Sequence, residues 1–489
     1  MKNIKFLMII IFLLSFISIG NAQDISSGVV KVLRKTANYE YIVPYWSKKY
    51  DESKRGTGFI IKWQGQPRII TNAHVIKNYI SIYANKHNQA KQFEFQVEFI
   101  ANDIDIALLK LSDPKAEKEF FKNTPFFDFD KNLPTKEMPI TLLGFPNYGD
   151  NLKILSGKVS RYEYRKVANM EQREQYRTLA MVISAIVHPG NSGGPVINQK
   201  NNKVVGIAFQ GAKEGTVGHS ITINTIQRFF KDIEDGSYDG VPFINIKTYD
   251  LISEQVRKEL KMGKEDTGVF VEELCSLDNY ELQEGDIITH IDNINIANNG
   301  TIEGPFGDRV LFRYHIKNKQ IGDSASLSII RNGEKQNIDV KLGKLQTTCP
   351  GPIFNEQPVF CMKSGVCFTK LTFNYYGSDE GSYPTEERKE IVKAVNVLPI
   401  KQNKGYDWAE HKIVDEINSI KIVEFKDVLK AFETPLEKEG KKYHKIVFDN
   451  EKFIILQAGE EGDMLDKKIK EDWSINSFKS KIFEELNKQ

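Results

Sequence analysis

From residue 27 to about residue 226, short runs of apolar and β-branched residues alternate with turn residues: 29–33, 58–62, 68–71, 93–99, 106–111, 140–144, 179–184 and 203–209. Runs of that length, spaced that way and without intervening helical periods, predict antiparallel barrels or sandwiches rather than alternating βα units. The pattern changes near its end. Ile226, Phe229, Phe230 and Ile233 recur at helical spacing and predict one helix over 223–235.

Gly236-Ser237-Tyr238-Asp239-Gly240 breaks that helix and opens a second region. Within it, residues 288–296 resemble residues 414–422, with Ile291, Ile294 and Ile296 answered by Ile417, Ile420 and Ile422. Each copy reads as a strand, a tight polar turn and a second short strand, followed by a helix-like stretch. Two related modules in tandem are therefore expected. The implied division is a β-rich unit over 27–236, a module over 241–345, a more divergent one over 358–458, and a charged tail over 459–489 with helical periodicity around Trp473, Phe478 and Phe483.

A chain of 489 residues exceeds what one hydrophobic core organises, in line with several domains. Hydrophobic residues make up 40%, charged 27% and aromatic 11%, a composition that excludes a disordered or fibrous chain. The 67 basic and 65 acidic residues leave a net charge of +2, which supplies no field for nucleic acid, and no nucleic-acid partner is expected. Residues 1–22 read as a secretory signal: Lys2 and Lys5, then an apolar run from Phe6 to about Ile19, then the small residues Gly20-Asn21-Ala22. The run is short for a span of about 20 residues, so cleavage and export are expected, with no integral span afterwards. Export permits disulfides. Cys275, Cys349, Cys361 and Cys367 leave open a bridge from Cys361 to Cys349 or Cys367, alongside buried free thiols.

Three segments carry chemistry together: Thr71-Asn72-Ala73-His74-Val75, Asp105-Ile106-Ala107-Leu108-Leu109 and Gly190-Asn191-Ser192-Gly193-Gly194-Pro195. Acyl transfer to water needs a hydroxyl that loses its proton during attack, a neutral imidazole to take it, and a carboxylate to fix the imidazole tautomer. His74, Asp105 and Ser192 supply one each. Glycines around Ser192 let the backbone turn sharply, so amides of Gly190, Asn191 and Ser192 are candidates for the oxyanion hole. Asp103, two residues before Asp105, reads as a solvated turn residue. His87 lies in a polar loop and His188 four residues before Ser192, so neither suits the base. No cluster shows metal-ligand spacing, and there is no phosphate loop; neither metal nor cofactor is expected.

These motifs resemble those of the trypsin-like HtrA/Deg serine proteases, over most of the chain after residue 22. Arg55-Gly56-Thr57-Gly58-Phe59 is similar to the family's entry into its first barrel, and Leu143-Gly144-Phe145-Pro146 with Ser156-Gly157-Lys158-Val159-Ser160 to the opening of its second. Ile296-Ala297-Asn298-Asn299-Gly300-Thr301 and Ile330-Arg331-Asn332-Gly333 are similar to the first PDZ domain of plant-type members. The resemblance implies a mainly β fold: a double β-barrel protease domain followed by two PDZ-like α+β domains. It implies an ATP-independent serine endopeptidase degrading misfolded exported proteins, assembled as a homo-oligomer, trimer or hexamer, in the periplasm, outside the cell or in an organelle lumen. The alternative is a catalytically silent peptide-binding chaperone on the same fold. Asn191 stands where digestive relatives carry an Asp that pairs with a new N-terminus, so switching by loop ordering or oligomer contacts is expected instead of propeptide cleavage. Ile186 and Val187, with Ala208 and Phe209, are expected to line the specificity pocket, favouring small or medium apolar residues. Phe243, Ile244, Asn245 and Ile246 match the PDZ loop that takes peptide C-termini or extended segments by strand addition, with Asn245 in place of a common glycine.

Overall fold

The computed structural model describes residues 25–46, 49–147, 149–167, 176–211, 217–278, 281–375 and 382–480. The leader expected over residues 1–22 and Phe483 lie outside them. The β-rich unit forms two closed antiparallel barrels of six strands each. The first comprises β1 (Val29–Asn38), β2 (Lys49–Trp63), β3 (Gln66–Thr71), β4 (Tyr79–Lys86), β5 (Phe93–Ala101) and β6 (Ile106–Leu111), closed in the order β1-β2-β3-β6-β5-β4. The second comprises β7 (Pro139–Gly144), β8 (Lys153–Lys166), β9 (Arg177–Ile183), β10 (Pro195–Asn198), β11 (Val204–Gly211) and β12 (Gly218–Thr222), closed as β10-β11-β12-β9-β8-β7. Sequence patterning missed β4, β8, β10 and β12. β8 shows why: half-exposed along most of its length and carrying Lys, Arg and Glu, it has no apolar run to announce it.

Phe59, Ile70 and Leu108 from the first barrel share one core with Ile207 and Ile221 from the second and with Phe229 and Ile233 beyond it. The expected helix forms as α1 (Ile223–Asp232) with a 3-10 turn at Ile233–Asp235, ended by Gly236 at φ +96°. That left-handed position favours glycine.

The middle unit is a sheet in which Ile246–Asp250, Val269–Leu274, Ile287–Ile291, Ser324–Arg331 and Glu334–Lys341 lie side by side in that order, with the short helix α2 (Arg313–Lys317) beside it. The third unit is an eight-stranded sheet spanning Phe360 to Gln457, with helix α3 (Phe425–Glu433). The repeat read from sequence has one geometry in both: Ile291 pairs with Ile294 across Asp292-Asn293, and Ile417 with Ile420 across Asn418-Ser419, all four turn residues at positive φ. Helix α4 (Gly459–Asp472) is no free tail. Its Leu465 and Ile469, with Ile475 after it, pack with Phe360, Met362 and Leu398 of the third unit. All four cysteines are buried and form no disulfide with one another. The loop after β1 reaches the third unit, where Tyr45 donates to Asn396 Oδ1 at 2.6 Å, and the segment before it, where Tyr41 donates to the Ile353 carbonyl at 3.2 Å.

Candidate active site

β3 and β6 pair antiparallel, with Thr71 opposite Ala107 and Ile69 opposite Leu109. Three residues beyond Thr71 and two before Ala107 therefore fall at the same end of the ladder, and these are His74 and Asp105. His74 sits in the 3-10 turn Ala73–Ile76, and Asp105 in the turn entering β6. His74 Nδ1 lies 2.8 Å from Asp105 Oδ2, and the His74 backbone amide donates to Oδ1 at 2.8 Å. Asp105 is 1% exposed, while the His74 side chain is 23% exposed. The acid is shielded and the base open on its cleft side. Asn72 Nδ2 donates to the Asp105 carbonyl at 2.9 Å, and Arg34 Nη1 to the His74 carbonyl at 2.6 Å. Asn72 stands in the His74 segment, but Arg34 lies forty residues upstream and no sequence signal joins it to the site.

Ser192 arrives from the other barrel, in the turn entering β10, and lines the same cleft of about 690 Å³ as His74. Thr57 of β2 holds that turn in place: its amide donates to the Ser192 carbonyl at 2.9 Å and its hydroxyl to the Gly190 carbonyl at 2.7 Å. The same hydroxyl accepts from the Phe145 amide at 2.9 Å. Ser192 Oγ donates to the Phe209 carbonyl at 3.2 Å, so it rests on β11 while the imidazole lies across the cleft. Rotation about χ1 is the one movement of Ser192 itself that redirects this hydroxyl.

Gly190 takes φ +100°. The Pro189 carbonyl accepts from Asn147 N at 2.8 Å, and in a planar trans peptide the Gly190 N–H points the opposite way. Among the described residues neither that amide nor the Ser192 amide donates to a protein acceptor. Asn191 differs. Its amide donates to the His188 carbonyl at 2.9 Å and its side chain is 1% exposed, with neither amide atom bonded among the described residues. It forms the back of the turn and offers no donor to the cleft, which corrects its place among the oxyanion donors.

Val187 and Phe209 line the cleft, as do His188 and Gly211. Ile186 lies outside that lining, 38% exposed to solvent. Ala208 is fully buried in the second barrel, its amide and carbonyl bonded to Gly194 and Gly193. Of the four residues expected in the pocket, Val187 and Phe209 line the cleft. Asp103 is half-buried and held rather than free in solvent: its carboxylate accepts from the Tyr238 hydroxyl at 2.6 Å and the Val241 amide at 2.9 Å. His87 faces Phe145 with its ring centroid 6.2 Å away, outside the cleft lining.

Phe243, Ile244, Asn245 and Ile246 line a second cavity of about 360 Å³, beside α2 and bordered by Tyr164 and Arg177 of the barrel unit. Here the Ile246 amide donates to the Ile244 carbonyl at 3.0 Å, and the Ile246 carbonyl accepts from Arg313 at 2.9 Å. The Asn245 side chain joins the unit's two ends, donating to the Lys344 carbonyl at 2.9 Å and accepting from the Gln346 amide at 3.0 Å. Burial pushes the Lys317 ammonium beside this cavity down to about 7.

The trypsin-like peptidase domain family matches residues 56–207, and the PDZ domain family residues 349–481, a span that includes α4. The chain is 26% identical over 440 residues to Protease Do-like 4, mitochondrial, of Arabidopsis thaliana, covering 88% of this chain and 80% of that protein. It is 29% identical over 352 residues to Protease Do-like 2, chloroplastic, of the same plant, covering 71% and 56%. Among solved structures, a variant of the HtrA-type protease AlgW with a decapeptide aligns at TM-score 0.50 and 18% identity, covering 67% of this chain and 97% of that one.

Proposed function

Because this chain belongs to the HtrA/Deg family of trypsin-like serine endopeptidases, we propose that His74, Asp105 and Ser192 are its catalytic triad and that it degrades misfolded polypeptides after export. One observation carries the assignment of the triad: a buried carboxylate holds Nδ1 of His74 at 2.8 Å while Ser192 lines the same cleft.

The chemistry follows from the side chains. Ser192 Oγ turns from Phe209 to Nε2 of His74, passes its proton there and forms a bond to the scissile carbonyl carbon. Asp105 holds the proton on Nδ1 and stabilises the imidazolium. The amides of Gly190 and Ser192 receive the oxyanion, one such donor being worth about 3 kcal/mol. Collapse breaks the C–N bond, the proton on Nε2 goes to the departing amine, and water repeats the cycle on the acyl-enzyme. No nucleotide enters any step.

Val187 and Phe209 favour small or medium apolar side chains, and Arg34, Lys54 and Arg55 along the same cleft disfavour a substrate Arg or Lys. The PDZ units bind extended segments or C-termini of substrate. Assembly into a homo-oligomer, trimer or hexamer, accompanies this reading, as does a periplasmic, extracellular or organelle-lumen location.

A fluorophosphonate probe tests it. Labelling of the wild-type chain that disappears in Ser192→Ala, with casein turnover lost in parallel, is expected. A folded wild-type chain that stays unlabelled would favour the silent chaperone, and dominant cleavage after Arg or Lys in a peptide library would overturn the pocket assignment.

A further inference from the structure

Asp103 is held from outside the barrel that carries it. The Tyr238 hydroxyl and the Val241 amide, which occupy its two carboxylate oxygens, both belong to the strap leading to the middle unit. Tyr238 is itself held: its hydroxyl accepts from Arg228 Nη2 at 3.1 Å. Arg228 Nη1 donates to Asp232 Oδ2 at 3.2 Å, to the Gly240 carbonyl at 3.0 Å and to Gln320 Oε1 at 3.4 Å. Gln320 lies in the middle unit and returns a bond from Nε2 to the Arg228 carbonyl at 3.1 Å. The side chains of Arg228 and Asp232 are 3% and 2% exposed. Water does not screen that pair, and loss of a partner leaves the Arg228 guanidinium buried with a donor unpaired.

On the other side of the turn, Asp105 takes φ +61°. A non-glycine residue keeps a left-handed backbone only where its surroundings impose it. Downstream, β6 pairing and the bonds from Asn72 and His74 supply part of that imposition. Upstream, Ile104 is 3% exposed in the core shared with Val241 and Phe243, and Asp103 is clamped to the strap.

We propose that Asp103 is a positioning residue for Asp105. Its clamp on Tyr238 and Val241 holds the turn in which Asp105 meets His74, and Arg228 with Gln320 makes that clamp depend on the middle unit being docked. This rests on the reading of Asp105 as the triad acid. An undocked middle unit would release Tyr238, then Asp103, and the imidazole would lose its fixed partner without any change in the pocket that binds substrate.

The test uses the full chain, a short fluorogenic peptide with an apolar residue before the cleaved bond, and the fluorophosphonate labelling rate. Asp103→Ala is expected to lower kcat roughly ten- to a hundredfold with KM little changed, because misplacement of the acid affects the chemical step and not binding. Asp103→Asn, which keeps one acceptor oxygen, and Tyr238→Phe, which loses only a hydroxyl, fall between that variant and wild type. Gln320→Ala lowers kcat less, and labelling slows in the same order. If Asp103→Ala fails to fold, Tyr238→Phe decides. A folded Tyr238→Phe with wild-type kcat, or a loss confined to KM, overturns the positioning role. Full activity in Gln320→Ala overturns the dependence on the middle unit. A wild-type chain that takes no probe would instead remove the triad reading on which this rests.

Discussion

The backbone amide and the ring Nδ1 of His74 reach the same carboxylate, one on each oxygen of Asp105 and each at 2.8 Å. Two donors from one residue fix both the distance and the plane of the acid relative to the ring. That grip is made in a site where the acid is almost fully buried, so water does not compete for either oxygen.

Asp105→Asn preserves volume and presents one acceptor in place of two. Peptide hydrolysis is expected to fall by roughly three to four orders of magnitude in kcat, since the imidazole is no longer held in the tautomer that accepts the serine proton. Circular dichroism should be unchanged. A variant retaining more than a tenth of wild-type kcat would contradict this.

Thr57→Val keeps shape and removes the hydroxyl that bridges Gly190 and Phe145. Thr57 is fully buried, so both partner groups lose their bond without gaining water. A loss of about 1–3 kcal/mol in unfolding free energy is expected by urea titration. The labelling rate of Ser192 should drop as well, because the turn carrying the proposed oxyanion amides loses one of its two ties to Thr57, the backbone bond from the Thr57 amide to the Ser192 carbonyl being kept.

Gly193 takes φ +87°, and a Cβ there would collide with the Thr57 carbonyl and the Thr71 hydroxyl. Gly193→Ala is expected to destabilise the barrel pair by more than about 3 kcal/mol through strain and overlap together. Expression trials with a thermal melt check it; a soluble variant with wild-type melting temperature would show that the turn can move.

His444 of the third unit is 1% exposed, and burial, with the Lys363 charge, lowers its pKa to about 4. Its Nδ1 accepts from Asn418 Nδ2 at 2.9 Å, which suits the neutral ring. Between the unfolded value near 6.5 and the folded value the unfolded chain binds the extra proton, so stability rises with pH across that window and is lost as pH falls through it. Trp408, edge-on to Phe448 at 5.5 Å, reports on this unit. Urea titrations followed by its fluorescence should show weakening from pH 7 to pH 4.5 in wild type, and a flatter dependence in His444→Leu.

Much of the candidate site was legible because its groups sit in short local segments whose residue types are dictated by chemistry: a histidine at a strand end, an aspartate before an apolar strand, a serine between glycines. Sequence order also conveyed the tandem modules, since Asp292-Asn293 and Asn418-Ser419 demand the same tight turn. Residues whose role depends on which way a side chain faces were not legible. Ile186 and Ala208 were apolar and nearby, yet one points outward and the other into the barrel core.

The amino-acid sequence by itself determined the β-rich architecture, the repeat, and the three segments proposed to supply a base, an acid and a nucleophile. Only the tertiary structure decided that Asp103 is clamped by Tyr238, that Arg34 and Thr57 brace the site, that Asn191 lies behind its turn, and that α4 belongs to the third unit's core. The physical reason is range: strand periodicity and turn chemistry act over a few neighbours, whereas each of these contacts joins groups whose separation along the chain carries no local signal and whose partners are chosen by packing.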